Sequence, residues 1–191
     1  MLPPTIRTAR LLLDAVTAAD AASVAEFCSD PELQRYVPVP MPYTRAHAEH
    51  YCDVYARSAA EGDGALWAIR WADVPGPLIG VIELKPEPLA SAELGFWLGA
   101  PHRGGRIMTE AALAVCDRGF APGGMGLSSI LWQAVMGNLA SASVARRCGF
   151  HFEGMSRSGL THRGERVDGW CASLLATDPR RPEPGWPEGI R

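Results

Sequence analysis

Several things are scarce in this sequence, and each scarcity excludes something. No apolar run in the 191 residues approaches the length needed to cross a bilayer. Met1 to Arg10 carries two prolines and no apolar stretch, so it is not expected to be a signal peptide. Cysteine is sparse and unpatterned: Cys28, Cys52, Cys116, Cys148 and Cys171 are odd in number and include no Cys-x-x-Cys pair. That argues against a disulfide framework or a zinc site and for reduced, mostly buried thiols in a cytoplasmic protein. An excess of positive charge is also missing. With 18 Lys+Arg against 21 Asp+Glu the formal net charge is −3, which leaves no basic face for broad nucleic-acid binding. Neither nucleic acid nor membrane is an expected partner, although a local basic pocket for a phosphorylated ligand remains open.

The rest of the composition suits one globular domain with a substantial core, 47% of the residues being hydrophobic and 20% charged. Leu11–Leu13 reads as a first strand. Thr17 then caps a helix over Ala18–Cys28 whose Val24, Phe27 and Cys28 share one face. Asp30-Pro31 opens a short turn or helix through Gln34, and Val37–Pro42 is too proline-rich for regular structure. Thr44 caps a longer helix, Arg45–Ala60, ended by Glu61-Gly62-Asp63-Gly64. Three strand-like runs follow, Ala65–Trp71, Leu78–Leu84 and Ser91–Leu98, and the short turns between them predict an antiparallel meander.

After Gly99 the period changes. Met108, Ala111, Ala112, Val115, Cys116 and Gly119 recur at helical spacing, and Gly123-Gly124 closes that helix. Leu127–Val135 reads as a strand, Ser141–Cys148 as a short helix, and further strands lie near Phe150–Glu153 and Trp170–Ala176. The third meander strand, its helix and the next strand make one β-α-β crossover, in a mixed α/β chain without internal repeats. Residues 5–178 are expected to form the domain. The segment 179–191, with four prolines, is expected to be a loosely ordered tail.

The informative stretch runs from Glu93 to Ala111. A strand leads into the turn His102-Arg103-Gly104-Gly105-Arg106, which opens into the amphipathic helix. The N–H groups at a helix start lack internal partners and, with the helix dipole, attract anions. Glycines let a phosphate approach the backbone, and Arg103 and Arg106 add charge, an arrangement that suits a pyrophosphate. The same turn also reads as a plain helix entry with solvated arginines. No Gly-Lys-[Ser/Thr] follows, so it is not a Walker loop, and the Gly-x-Gly-x-x-Gly spacing is absent.

The run Phe96 to Ala111, with Met108-Thr109-Glu110-Ala111 inside it, resembles the acetyl-CoA motif of the GNAT superfamily of N-acetyltransferases. It is most similar to the branch that contains the ribosomal-protein alanine acetyltransferases. A second block agrees with it: Gly137-Asn138-Leu139-Ala140-Ser141, then Val144 to Phe150 and Glu153-Gly154, is similar to that branch's Asn-x-x-Ser helix with its Gly-Phe and Glu-Gly. Arg7 to Leu13 is like the branch's first strand, so the resemblance covers roughly Thr5 to Asp178. It implies a single-domain GNAT-like fold: a twisted, mostly antiparallel sheet of about seven strands, one parallel splayed pair at the cofactor motif, and about four flanking helices.

The resemblance also implies acetyl-CoA as co-substrate, no metal, and an amine acceptor, either a protein or peptide N-terminus or a small molecule, attacking the thioester directly. A homodimer is compatible with it. Backbone groups near Phe96, Trp97 and Leu98 would pair with pantetheine, and Arg103, Gly104, Gly105, Arg106, Ile107, Met108 and Thr109 would hold the pyrophosphate. One departure stands out: the family loop has glycine where this chain has Arg106. With a right-handed helical φ, the Arg106 Cβ is expected to tilt away and its guanidinium to reach a phosphate.

Asn138 matches the residue that holds the cofactor arm, and equally reads as an N-cap. Ser141 matches the serine near the thioester sulfur, a general acid for the leaving thiolate, or it makes only a structural hydrogen bond. Candidate bases are Glu83, the first choice, with Glu93, Glu153 and Asp168; His151 is the runner-up. His47 and His50 have a metal-compatible spacing but no third ligand nearby, so a solvated face is expected. The acceptor pocket is expected from the early helices, the Tyr36–Tyr43 loop and Ser156–Val167. The alternative to an enzyme is a non-catalytic acyl-CoA-binding or interaction protein that keeps this fold.

Overall fold

The computed structural model describes residues 3–61 and 64–190. Ile6–Arg7 (β1) leads into Leu11–Ala15 (β2), and the meander follows as Ala65–Trp71 (β3), Gly80–Glu87 (β4) and Ser91–Leu98 (β5). Ser129–Val135 (β6) comes after the crossover, then a long hairpin of His151–His162 (β7) and Glu165–Leu175 (β8). These eight strands form one sheet in the order β1-β2-β3-β4-β5-β6-β8-β7, and β5–β6 is the only parallel pair among the described residues. The sheet therefore has one strand more than expected, the two-residue β1.

The helices are Ala21–Cys28 (α1), Pro31–Tyr36 (α2), Arg45–His50 (α3), Ala56–Glu61 (α4), Ile107–Phe120 (α5) and Leu139–Arg147 (α6). A π-helical turn, Tyr51–Tyr55, joins α3 to α4, so the single helix expected after Thr44 is widened in its middle. Its expected terminator residues Gly62 and Asp63 lie outside the described residues. The short segment after Cys28 is a helix rather than a turn. Pro31 occupies its first position, and the Asp30 carboxylate accepts the Glu32 and Leu33 amides at 3.2 and 3.3 Å.

Helices cover both faces of the sheet. Trp67 and Ile69 of β3 pack with Leu84, Leu94, Ile130 and the buried stripe of α5. Leu66 and Ala68, one residue out of phase, pack with Val24, Cys28 and Ala48 of α1 and α3. Period-two alternation thus sorts β3 between two apolar layers rather than between core and water. None of the described helices is long and apolar enough to cross a membrane.

Two segments differ from expectation. The final strands run through twelve and eleven residues, because Arg163 and Gly164 both take positive φ (52° and 83°) and make the tight turn that hairpins favour. The C-terminal segment is not loose. Trp186 packs on Trp132 and Phe152, with ring centroids 5.5 and 5.1 Å apart, and donates its indole N–H to the Phe150 carbonyl at 3.1 Å. Ile190 is buried in the core. Prolines exclude regular ladders from this segment, yet do nothing to stop one large aromatic from burying its area.

The segment crosses Gly149, whose φ is +93° and where a Cβ would stand 2.3 Å from the Pro179 carbonyl oxygen. Gly149→Ala combines backbone strain with that clash. It is expected to lower the unfolding free energy by about 2–3 kcal/mol, read as a reduced denaturant midpoint.

Candidate active site

The site begins where pairing stops. β5 and β6 share only three residue pairs, Ser91–Ser129, Ala92–Ile130 and Glu93–Leu131. Beyond them β5 stays with β4 as far as Leu98, while β6 stays with β8 as far as Val135, so the two halves of the sheet part. The Gly99 amide donates to Ile79 O at 2.9 Å, so odd-numbered β5 residues bond to β4. In an antiparallel ladder the N–H and C=O of Phe96 and Leu98 then face the gap. A cavity of about 640 Å³ fills it.

One wall carries Phe96, Trp97 and Leu98, and the opposite wall Asn138 and Ser141. Arg103, Gly104, Arg106, Ile107, Met108 and Thr109 bring the start of α5 to the same space. Of the expected site residues, Gly105 and Glu83 are not among those lining it. Gly105 is engaged behind the turn, where its carbonyl accepts Arg10 Nη1 at 3.1 Å. Arg10 Nε also donates to Glu110 at 2.6 Å, and Glu110 accepts the Thr8 hydroxyl at 2.6 Å. The acidic residue of the Met-Thr-Glu-Ala run therefore ties the first turn of α5 to the connection between β1 and β2.

The α5 N-terminus has the chemistry of an anion site. The Thr109 hydroxyl is buried without a hydrogen-bond partner among the described residues, in a residue that borders the cavity, and the first amides of the helix have no intrahelical acceptor. An unsatisfied buried polar atom calls for an explanation, and a phosphate oxygen arriving there supplies one. The residues present fit such a group. Arg106, at the N-cap, corrects the expectation of a helical φ. It sits at φ +59° and ψ 20°, the left-handed conformation that glycine takes without cost. Gly104 before it is also at positive φ (86°), so the turn takes the left-handed conformation twice, once at a glycine and once at an arginine. Its exposed side chain has no hydrogen bond or ion pair among the described residues.

Arg103 is already committed. It pairs with Asp30 at 2.6 Å and donates Nε to the Leu98 carbonyl at 3.0 Å. Burial is the largest single influence and would raise the Asp30 pKa, but Arg103 and the α2 amides together outweigh it and hold the carboxyl below the usual range. Arg103 thus joins α2 to the cavity mouth as well as adding charge.

Asn138 caps α6, its Oδ1 accepting the Ser141 amide at 3.2 Å, which leaves its NH2 to the cavity; the cap and cofactor readings are compatible. Ser141 Oγ accepts the indole N–H of Trp132 at 3.0 Å. Nothing in the sequence marks Trp132, since a strand tryptophan reads as core.

Glu83 approaches β5 from the face covered by α3 and α4. Tyr55 donates its hydroxyl to Glu83 at 2.8 Å, Lys85 Nζ lies 3.1 Å away, and the side chain is 14% exposed. Its carboxylate lies over Gly95, where a Cβ would come within 2.9 Å of Oε1, so the glycine makes room for it two residues past the last β5–β6 pair. Burial first, then the charge of Glu83, raises the Tyr51 and Tyr55 phenols, which therefore remain protonated. Burial likewise raises Glu93, against the pull of Lys85.

The remaining candidate bases are engaged elsewhere. Glu153 accepts the Ser173 hydroxyl, and Asp168 holds the β7 bulge by accepting the Ser158 amide at 2.8 Å. His151 is exposed and lies 3.7 Å from Glu183. His47 Nδ1 accepts the Thr44 amide at 3.2 Å, a capping role, and no group of three His, Cys, Asp or Glu among the described residues is placed to hold a metal. The expected acceptor walls do meet: Arg163 of the hairpin donates to the carbonyls of Gln34 and Val39, and Tyr36 to that of Gly137.

Comparison with known proteins agrees with this geometry. Residues 10–151 match the family model described as an acetyltransferase (GNAT) domain. The uncharacterized N-acetyltransferase p20 of Bacillus licheniformis is 26% identical over 174 residues, covering 90% of this chain and 96% of that protein. The ribosomal-protein-S5-alanine acetyltransferase from Vibrio fischeri superposes with a TM-score of 0.75 at 18% identity, over 94% of this chain and all of that one (100%). The microcin C7 self immunity acetyltransferase MccE, in complex with acetyl-CoA and AMP, does so at 0.76 and 17%, over 88% and 93%.

Proposed function

Because the chain belongs to the GNAT family of acetyltransferases, we propose that it transfers an acetyl group from acetyl-CoA to a primary amine that attacks the thioester directly. The observation that carries this reading is the parting of β5 and β6 beside the α5 N-terminus, which leaves the Phe96 strand edge and a helix start facing one cavity. The Phe96 edge suits an extended amide chain, the Thr109 hydroxyl and the first α5 amides suit a pyrophosphate, and the Asn138 NH2 suits the arm between them. Acetyl-CoA supplies the activated acyl carbon.

In the reaction a C–N bond forms and the C–S bond breaks. Ser141 passes its proton to the departing sulfur and takes one back from solvent, and Glu83 takes the amine proton through a water. Glu83 does not line the cavity itself, so the bridging water carries the proton to it. Relatives named for a ribosomal protein and for self immunity make both peptide N-termini and small amines reasonable acceptors to test. The test is to incubate the protein with acetyl-CoA and a panel of peptide N-termini, polyamines and aminoglycosides while following free CoA thiol. Acceptor-dependent release is expected. Saturable CoA binding without release for any amine would favour a binding protein, and absence of CoA binding would refute the reading.

Arg106→Gly probes the loop. Its backbone already holds the glycine conformation, so CoA affinity by titration calorimetry is expected to change by less than about tenfold, or ~1.4 kcal/mol. A larger gain would mean that the arginine obstructs the site.

A further inference from the structure

Ser141 is held by more than its helix. Its hydroxyl has one proton and two lone pairs, whereas an indole N–H can only donate. With Trp132 Nε1 at 3.0 Å, the oxygen must accept, and no described residue accepts the Ser141 proton in return. The proton is left for the cavity that Ser141 lines.

Trp132 is itself fixed from behind. It is 1% exposed on β6, the strand bordering the gap, and the Trp186 ring packs against it at 59°. The Phe150 carbonyl and the Phe152 ring hold Trp186 in turn. The segment bearing Trp186 is tied to the helix bearing Ser141: Arg146 Nε donates to the Glu183 carbonyl and the Glu183 amide to the Arg146 carbonyl, both at 3.1 Å. Farther along, Gly189 reaches the cavity wall.

We propose that Trp132, braced by the C-terminal segment through Trp186, is a positioning residue that fixes the Ser141 hydroxyl as a hydrogen-bond donor toward the leaving sulfur. This rests on Ser141 acting as the acid. An unbraced serine would divide its proton among several directions, and only one of them is productive. The competing account is that a buried indole needs some acceptor and Ser141 happens to be it.

Trp132→Phe keeps an aromatic ring, smaller than the indole, and removes the N–H. It is combined with Ser141→Ala in a cycle, measuring kcat and KM for acetyl-CoA with the best acceptor of the panel. We expect Trp132→Phe to lower kcat about tenfold with the KM for acetyl-CoA within about twofold, and to cost nothing further in Ser141→Ala. An equal loss in both backgrounds, or no loss, overturns the role of Trp132 while leaving the acid in place. If Ser141→Ala alone keeps full kcat, the acid assignment fails and this inference fails with it. Trp186→Phe, which removes the bond to Phe150 and thins the packing on Trp132, gives the same cycle should Trp132→Phe not fold. Its expected loss, about threefold, is again absent in Ser141→Ala.

Discussion

Glu83→Gln is expected to reduce kcat/KM for the acceptor amine by about a hundredfold or more while CoA affinity stays within about twofold. Glutamine keeps the volume and still accepts the Tyr55 hydroxyl that orients Glu83 at 2.8 Å, but it cannot take up a proton. The loss therefore reports base chemistry rather than collapse of the Tyr51–Tyr55 stack above it, whose rings lie 5.0 Å apart. Unchanged thermal stability with a lost rate would be the signature. A loss of less than about threefold would remove Glu83 from the mechanism, and Glu93, the next carboxyl on that face of β5, would become the group to change.

Asp20→Ala is expected to destabilise the fold by about 3 kcal/mol or more, measured from urea denaturation at neutral pH. Arg70 on β3 is largely buried and donates to both Asp20 oxygens, at 2.7 and 2.9 Å, and to Asp14 at 2.8 Å. Removing Asp20, which is 2% exposed, leaves a buried guanidinium with one partner and also frees the Thr17 amide that Asp20 accepts at 2.9 Å. The pH dependence has a definite sign. Burial alone would raise the Asp20 pKa, but the hydrogen bonds from Arg70 and Thr17 outweigh it and the folded value is lowered. A carboxyl depressed in the folded state stabilises above its unfolded pKa, about 3.9, and that stability is lost as pH falls through the folded value. The stability difference between wild type and Asp20→Ala should thus be full at neutral pH and shrink below about pH 4. A gap that stays constant into acid would mean that the ion pair is not its source.

Local features were legible from residue order. β3 and β5 run over the residues that alternation and turn spacing mark out, Asp30, Thr44 and Asn138 cap helices, and the glycine turn opens α5 one residue before the apolar period begins. Such signals act within one helical turn or between neighbouring strand positions, so a linear reading detects them. The parallel crossover followed from the same order, and the motif blocks brought the correct family.

Partnerships between distant residues were not legible. Arg103 stands beside the glycine turn in residue order, and its pairing with Asp30, 73 positions away, is not visible there. The left-handed φ of Arg106 belongs to a turn held by Arg10, and the proline-rich end reads as loose because a lone Trp186 carries no period. Residue order by itself therefore determined most of the elements, the crossover and the family. Only the tertiary structure decided which polar groups stay free to act, because that depends on which side chains packing brings within about 3 Å, and such contacts leave no trace in local periodicity.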